Sequence, residues 1–295
     1  GSVLGPLLFL LYINDLPAYP KNNSTTRLFA DDSVIYRQID SEADAALLQE
    51  DLNRLLDWEK DWGMSFHPNK CQVISVAKKR NIVDFSYTMK GHILDKVDSV
   101  KYLGVTINNG GSWNNHINNI TASSHKTLSF LQRNLSHCPM SVKELSYKSL
   151  VRSKVEYATT IWDPHTKSNI DKLEMIQRKG ARFVCGDFRR YSSVTEMLQR
   201  LQWESLQARR KAYKLVMMYK TANNLVDLSV ANFNLQQSPI HPHKYIQPFT
   251  RTDCYKFSYI PSVVRLWNGL PASVAQAPTI GIFRPAMQAV IYQTY

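Results

Sequence analysis

Two adjacent aspartates, Asp31 and Asp32, are the residues of this sequence best suited to chemistry. They lie between two short runs, residues 25–30 and 33–37, that are rich in apolar and β-branched side chains. Such runs are typical of β-strands, and aspartate tolerates turn geometry, so the pair is predicted at the tip of a hairpin. Adjacent carboxylates repel each other, and a hard cation such as Mg²⁺, which takes carboxylate, water and phosphate oxygens, would offset that repulsion. Taken alone, such a pair is more often an ordinary solvated turn than a metal site.

Chain length, apolar runs and cysteine spacing limit the class of protein to which this pair can belong. Its 295 residues are enough for about two domains. Its longest apolar run, around residues 7–13, is far shorter than the roughly 18 residues of a membrane span, so we expect no membrane partner. The four cysteines are widely spaced, which favours a reducing intracellular compartment over a disulfide or zinc framework. The first residue is glycine, from which we expect a larger or processed precursor.

Charge is distributed unevenly along the chain. The formal net charge is +12, made up of −2 over residues 1–120, +11 over residues 121–220 and +3 over residues 221–295. An excess confined to one segment is typical of a surface that binds a polyanion. We therefore favour nucleic acid as a partner over an anionic membrane.

The chain opens with the motif Gly1-Ser2-x-Leu4-Gly5-Pro6-x-Leu8-Phe9. Glycine allows close approach of the backbone to a ligand, and proline suits the first turn of a helix, so a glycine loop leading into a helix is predicted. A buried structural helix explains the apolar residues equally well.

This opening, followed by Phe29-Ala30-Asp31-Asp32, resembles motifs B and C of the reverse transcriptases of non-LTR (LINE-type) retrotransposons. The resemblance implies that Asp31 and Asp32 lie on a palm hairpin, bind catalytic Mg²⁺ and take part in catalysis. It also implies that the motif B residues lie under the templating base pair, which assigns nucleic-acid contacts to Gly1, Ser2, Gly5 and Pro6.

Two further segments resemble motifs of the same family. Residues 63–76 are predicted as strand–turn–strand and resemble motif D, which implies that Lys70 lies near the incoming triphosphate and aids departure of pyrophosphate. The family commonly has Asn where His67 stands, and a surface turn lysine is the alternative. Residues 100–107 resemble motif E, the primer grip, which assigns primer contacts to Tyr102, Leu103 and Gly104.

Helical periodicity is present at 41–62 and again from residue 112 onward. The first helix is predicted to be capped by Ser41 and ended by Gly63, and Ser141 and Ser193 are predicted to open later helices through capping boxes. Helices are also predicted at 168–184 and 203–223. The basic residues proposed for phosphate contacts on these helices are Arg178, Lys179, Arg182, Arg209, Arg210 and Lys211.

The predicted fold class is α+β. A partial polymerase palm, with an antiparallel sheet and helices on one face, occupies residues 1–110. An all-helical domain that matches the thumb in position follows at 111–223. Residues 224–295 are interpreted as a linker and a small C-terminal extension.

The predicted function is that of a fragment of an RNA-directed DNA polymerase, using two Mg²⁺ ions to add deoxynucleotides to a primer 3′ end. Its expected partners are an RNA template, a DNA primer, a dNTP and a missing N-terminal fingers and palm segment, in a nuclear or cytoplasmic ribonucleoprotein. The family's motif A aspartate is absent, since Asp15 stands at the wrong place, so we expect the chain to be inactive alone. The alternatives are a non-catalytic nucleic-acid-binding remnant and a fragment that does not fold stably.

Overall fold

The structure is a computed structural model that describes residues 3–77, 82–228, 230–241 and 243–294. The chain divides into a first unit, Gly1–Tyr102 with Asn108–Gly111, and a second unit, Leu103–Ile107 with Ser112–Tyr295. Within the described ranges, no helix combines the length and the apolar character needed to cross a membrane.

The first unit mixes helices with short strands. Its helices are α1 (Leu4–Ile13) and α2 (Glu42–Trp62), with 3₁₀ turns at Leu16–Ala18 and Pro68–Lys70. Its strands are β1 (Thr25–Phe29), β2 (Asp32–Tyr36), β3 (Gln72–Val73), β4 (Thr88–Met89), β5 (His92–Ile93), β6 (Asp95–Lys96) and β7 (Ser99–Tyr102).

Helix α2 forms as the sequence predicts. The Ser41 hydroxyl accepts a hydrogen bond from the Asp44 amide at 3.3 Å, and the Asp44 carboxylate accepts one from the Ser41 amide at 3.0 Å, which completes the capping box. Gly63 ends the helix with a φ of 65°, a conformation that favours glycine. The buried face of α2, which includes Leu52 and Trp58, forms the core of this unit with residues of α1, β4 and the 3₁₀ turn at Leu16–Ala18.

The expected single antiparallel sheet is wrong. In the described part of the first unit, β1 pairs with β2 and β4 with β5, both antiparallel, while β3 pairs in parallel with β6. These pairs do not join into one sheet. The segment before Pro68 also lacks the predicted strand, because the chain there is irregular and then forms a 3₁₀ turn.

The second unit is almost entirely helical. After strand β8 (Val105–Asn108) it contains helices α3 (Asn114–Asn134), α4 (Met140–Tyr147), α5 (Ser153–Glu156), α6 (Lys167–Cys185), α7 (Val194–Arg200), α8 (Leu206–Ala222), α9 (Asp253–Lys256), α10 (Tyr259–Asn268), α11 (Ala272–Ala275) and α12 (Ile280–Thr294). A π-helical turn, Lys148–Arg152, joins α4 to α5. The predicted mixture of helices and small sheets followed by a helical region is thus confirmed in outline.

Of the two later capping boxes predicted, the one at Ser193 is confirmed for its serine cap, while no bond from the Glu196 side chain back to the Ser193 amide is seen in the described residues. Ser193 caps α7 by accepting a hydrogen bond from the Glu196 amide at 3.3 Å. The capping box predicted at Ser141 is wrong, because α4 already begins at Met140, after Pro139.

Two hydrophobic cores lie in the second unit. The first gathers side chains from α3, α6 and α7 around the fully buried Tyr147 and Trp162. In the second, α8 packs against α10 and α12 around Tyr219 and Phe283. The segment expected to be a small C-terminal extension therefore shares an apolar core with α8.

Candidate functional site

The Asp31-Asp32 pair lies at the tip of the β1–β2 hairpin. Phe29 pairs with Asp32, which leaves Ala30 and Asp31 as a two-residue turn in which Ala30 has a φ of 51°. The predicted hairpin is therefore observed, with Asp31 in the turn and Asp32 opening the second strand. Since residues of a strand alternate in direction, Asp32 shares a face with Phe29 rather than with the core side chains.

The opposite face of the hairpin anchors it to the first unit. Leu28 and Ile35 are partly buried against the core, and the register places both on the same face. On the face that carries Asp32, the side chains of Phe29 and Tyr36 are 63% and 51% exposed. The hairpin thus presents an open surface that continues to its carboxylate tip.

Both ends of the hairpin are tied to α2. Before β1, the amides of Lys21 and Asn22 donate to the buried Asp51 carboxylate at 2.8 and 3.1 Å. After β2, the Arg37 guanidinium forms an ion pair with Asp44 at 3.6 Å. These contacts fix the base of the hairpin and engage Arg37 away from the aspartate pair.

Asp31 and Asp32 are both exposed, and within the described residues neither carboxylate has a hydrogen-bond or ion-pair partner. The pair is therefore not neutralised by a protein cation there. Asp15, the other acidic residue of the opening segment, accepts a hydrogen bond from the Trp58 indole at 2.8 Å and so has a structural role.

The donor chemistry of this pair suits Mg²⁺, which prefers hard carboxylate oxygens and completes its shell with water and phosphate. The described part of the chain contains no group of three histidine, cysteine, aspartate or glutamate side chains that could hold a metal. Asp31 and Asp32 could therefore supply only some of the protein ligands of a magnesium site.

Among the described residues, none of the other residues assigned to the polymerase site forms a hydrogen bond or ion pair with Asp31 or Asp32. Lys70 is exposed at the end of a 3₁₀ turn, and no hydrogen bond or ion pair joins it to Asp31 or Asp32 in the described ranges. Gly5 and Pro6 are exposed within α1, which begins at Leu4. The loop predicted to extend to Pro6 is therefore wrong for Leu4 and Gly5, which are already helical. Gly1 and Ser2 lie outside the described residues.

The predicted primer-grip residues form a tight turn after β7. Leu103 and Gly104 both have positive φ angles, 45° and 81°. The Tyr157 hydroxyl donates to the Leu103 carbonyl at 3.0 Å, and a Cβ added at Gly104 would lie 3.1 Å from the Tyr157 ring. Tyr157 thus holds this turn, a role that the sequence did not reveal, while Tyr102 ends β7 half-buried.

The three basic residues predicted on α6 differ in environment. Arg178 and Lys179 are exposed and form no ion pair within the described residues. Arg182 instead directs its guanidinium inward, where it donates to the carbonyls of Asp187, Arg189 and Ser192 at 3.4, 2.8 and 3.2 Å. These N–H donors are therefore engaged inside the chain, and the phosphate contact of Arg182 stays a prediction.

Two of the three residues predicted as a basic row on α8, Arg209 and Arg210, are paired with carboxylates inside the second unit. Arg210 is fully buried and pairs with Asp163 at 2.9 Å. Arg209 is bonded to Glu156, and although burial alone would lower the pKa of Arg209, this carboxylate outweighs burial and raises it.

Lys211, the third residue of that row, is partly buried, and burial lowers its pKa to about 8. Its charge at neutral pH is therefore less secure than that of a solvated lysine. The basic character of α8 is thus used largely inside the second unit.

Comparison with known proteins finds a match to the first third of the chain. Residues 1–107 match the family model described as reverse transcriptase (RNA-dependent DNA polymerase). The matched segment includes the aspartate hairpin, Lys70 and the Leu103-Gly104 turn. The similarity to reverse transcriptases is thereby confirmed at the level of the domain, whereas the role of each motif residue stays a prediction.

Curated relatives give the same indication. A probable RNA-directed DNA polymerase from transposon X-element of Drosophila melanogaster is 28% identical over 195 residues, which cover 63% of this chain and 21% of that protein. The RNA-directed DNA polymerase from mobile element jockey of the same species is 24% identical, over 63% of this chain and 21% of that protein. A probable RNA-directed DNA polymerase from transposon BS, also of that species, is 29% identical, over 62% of this chain and 22% of that protein. The chain thus spans about a fifth of the length of these relatives. No solved structure matches it significantly.

Proposed function

We propose that the chain is part of an RNA-directed DNA polymerase of the retrotransposon type, in which Asp31 and Asp32 bind catalytic Mg²⁺. The observation that carries this proposal is the β1–β2 turn, which presents two exposed and unpaired carboxylates within the segment that matches the reverse transcriptase model. Two repelling carboxylates without a protein counter-ion favour a cation as their partner.

The proposed reaction transfers a deoxynucleotide from a dNTP to a DNA primer 3′ end on an RNA template. When bound, Mg²⁺ would lower the pKa of the primer hydroxyl and neutralise charge on the triphosphate. Asp31 is the principal ligand in this proposal and Asp32 supports it. The Lys70 ammonium neutralises or protonates the leaving pyrophosphate, and the Tyr102-Leu103-Gly104 segment supports the primer terminus.

We also propose that a further carboxylate from outside these 295 residues completes the site. Two metal ions about 4 Å apart need ligands that bridge them, and the described residues offer no third acidic group beside the hairpin. The chain alone is therefore expected to extend a primer little or not at all.

The test is a primer-extension assay with Mg²⁺ and an RNA template. It compares the chain alone, the chain joined to the preceding polymerase segment of a relative, and that joined protein carrying Asp31→Asn. Activity is expected only in the unmodified joined protein, and Asp31→Asn should lower it by more than about 100-fold, since metal stabilisation of a transition state is worth several kcal/mol.

The matched control is Asp95→Asn, which removes one exposed carboxylate of the same unit at the start of β6. It should leave extension unchanged. Extension by the joined protein that survives Asp31→Asn would remove Asp31 from the site, and extension by the chain alone would overturn the need for a further ligand.

A second candidate function, nucleic-acid binding without catalysis, is favoured by one observation. Arg178 and Lys179 are exposed on consecutive positions of α6 and have no ion-pair partner in the described ranges. If the joined protein binds an RNA–DNA hybrid with an affinity that falls steeply with salt, but extends no primer, this second function replaces the first.

A further inference from the structure

We propose that the loop between α6 and α7, residues 186–192, is a stacking platform for unpaired bases of single-stranded nucleic acid. The sequence of this loop, hereafter the α6–α7 loop, is Gly-Asp-Phe-Arg-Arg-Tyr-Ser. The proposal rests on the proposed nucleic-acid role of the chain, and it adds the strand form that is bound and the side chains that bind it.

The backbone of the α6–α7 loop is held in one conformation. Gly186 ends α6 with a φ of 66°, and the Asp187 amide donates back to the Arg182 carbonyl at 3.1 Å, the pattern of a Schellman motif. The Arg182 guanidinium then donates to three carbonyls of the loop, including that of Arg189 at 2.8 Å. Arg182 is therefore a positioning residue that holds the loop backbone in the conformation described.

The charged side chains inside the loop add a second constraint. Arg189 donates to both oxygens of Asp187, at 3.0 and 2.9 Å, and this bidentate pair holds the pKa of the Asp187 carboxyl well below its usual range. The same guanidinium lies 5.5 Å from the centre of the Tyr191 ring. Arg189 thus links the acidic anchor of the loop to one of its aromatic rings.

Two aromatic rings point away from this ordered backbone. Tyr191 is 83% exposed and Phe188 is 61% exposed. Neither ring contacts another aromatic ring in the part of the chain that the structure describes. Two large rings exposed within four residues of one loop differ from singly scattered apolar side chains, and such grouped exposure is typical of an interaction site.

The surroundings of the loop favour nucleic acid as that partner. Residues 178–192 contain five basic side chains and one acidic one, and that acidic residue, Asp187, is already paired. Arg190 is exposed and has no ion-pair partner among the described residues. A ring that stacks on a base beside a cation that neutralises phosphate is the arrangement by which single strands are bound without sequence preference.

A duplex fits this loop less well than a single strand. Bases of a duplex are already stacked on each other and leave no free face except at an end. A protein surface that only follows phosphates needs cations but no exposed rings. The two rings are therefore what distinguishes the loop from a general basic surface.

The test measures binding by fluorescence anisotropy. Two labelled probes are used, a single strand of about 16 nucleotides without secondary structure and an RNA–DNA hybrid of the same length. Phe188→Ala combined with Tyr191→Ala should weaken binding of the single strand by roughly ten-fold or more, with little change for the hybrid. The salt dependence of single-strand binding should be the same for this double variant as for the wild type, because no cation is removed. Tyr191→Trp, which keeps a stacking ring, should retain the affinity.

A variant that removes one cation separates the contribution of phosphate neutralisation from that of base stacking. Arg190→Gln should reduce the slope of log affinity against log salt by roughly 0.7, the value for one phosphate contact to a single strand. The matched aromatic control is Phe249→Ala, since Phe249 is 81% exposed elsewhere in the second unit. This control should leave binding of both probes unchanged.

Several outcomes would overturn the proposal. The first is that the wild-type chain does not bind the single strand. The second is that the double alanine variant binds the single strand within about two-fold of wild type. The third is that this variant loses as much affinity for the hybrid as for the single strand. A change in self-association of the double variant at unaltered nucleic-acid affinity would assign the loop to protein contacts instead. Because these assays need no catalysis, failure of primer extension leaves their result interpretable.

Discussion

At the residue scale, the structure separates basic side chains that a sequence treats alike. Arg190 is exposed and unpaired among the described residues, whereas Arg210 is fully buried. The Asp163 carboxylate accepts from Arg210 at 2.9 Å and from Lys214 at 2.8 Å. Two buried cations thus depend on one carboxylate, and this cluster belongs to the stability of the second unit.

Asp163→Asn is therefore expected to destabilise the second unit by about 3 kcal/mol, because it leaves the charges of Arg210 and Lys214 buried without their counter-ion. The free energy of unfolding is measured by urea denaturation at neutral pH. The matched control is Asp171→Asn, an exposed carboxylate on α6, which should change stability by less than about 0.5 kcal/mol. A loss at position 163 no larger than that of this control would show that the cluster is not a stabilising unit.

At the element scale, elements whose stability is local could be predicted and those set by packing could not. Helix α2 has its cap at Ser41, its apolar spacing and its ending glycine in the sequence, and its observed bounds agree with them. Helix α8 packs against α6, α10 and α12, so side chains on more than one of its faces are buried, and Arg210 is among them. The periodicity of apolar residues in the sequence marks only one buried face of a helix, so it cannot predict that a charged residue on another face is buried.

The strands and the candidate site show the same division. The β1–β2 hairpin and its aspartate turn follow from residue types alone. The parallel pairing of β3 with β6 joins residues more than twenty positions apart, and no local signal specifies it. Likewise, the role of Tyr157 at the Leu103 turn depends on a contact across 54 positions.

Packing between helices also reverses an ordinary expectation for glycine. Alanine in place of a helical glycine usually stabilises by about 1 kcal/mol. A Cβ at Gly180, however, would lie 2.3 Å from the ring of Tyr147, which is fully buried and stacked on Trp203. We expect Gly180→Ala to lower the free energy of unfolding by about 2 kcal/mol, as overpacking does, in urea denaturation.

Two further variants test the cause of that loss. Gly281→Ala, in α12, meets no atom closer than 3.8 Å and should be neutral or slightly stabilising. In a Tyr147→Leu background, Gly180→Ala should cost less, because the ring that obstructs the methyl group is gone. An unchanged cost in that background would exclude the Tyr147 ring as the reason.

At the scale of the whole molecule, charge and apolar surface are separated along the chain. The positive excess lies in residues 121–220, whereas among the described residues the largest run of exposed apolar side chains lies on α1. Leu7, Leu8 and Leu11 are 57%, 61% and 75% exposed, and the only buried residue of α1 is Ile13. A helix that is apolar on all sides is normally covered by other protein.

We expect this surface to make the chain self-associate at micromolar concentrations and bind a hydrophobic dye. Leu8→Gln combined with Leu11→Gln should weaken association by at least about ten-fold, since each buried leucine contributes about 1.5–3 kcal/mol. Sedimentation velocity over a concentration series measures the association. The control is Ile93→Gln with Ile240→Gln, two isolated residues that are 70% and 80% exposed and should have no effect. A wild-type chain that stays monomeric without binding dye would show that α1 is covered in solution.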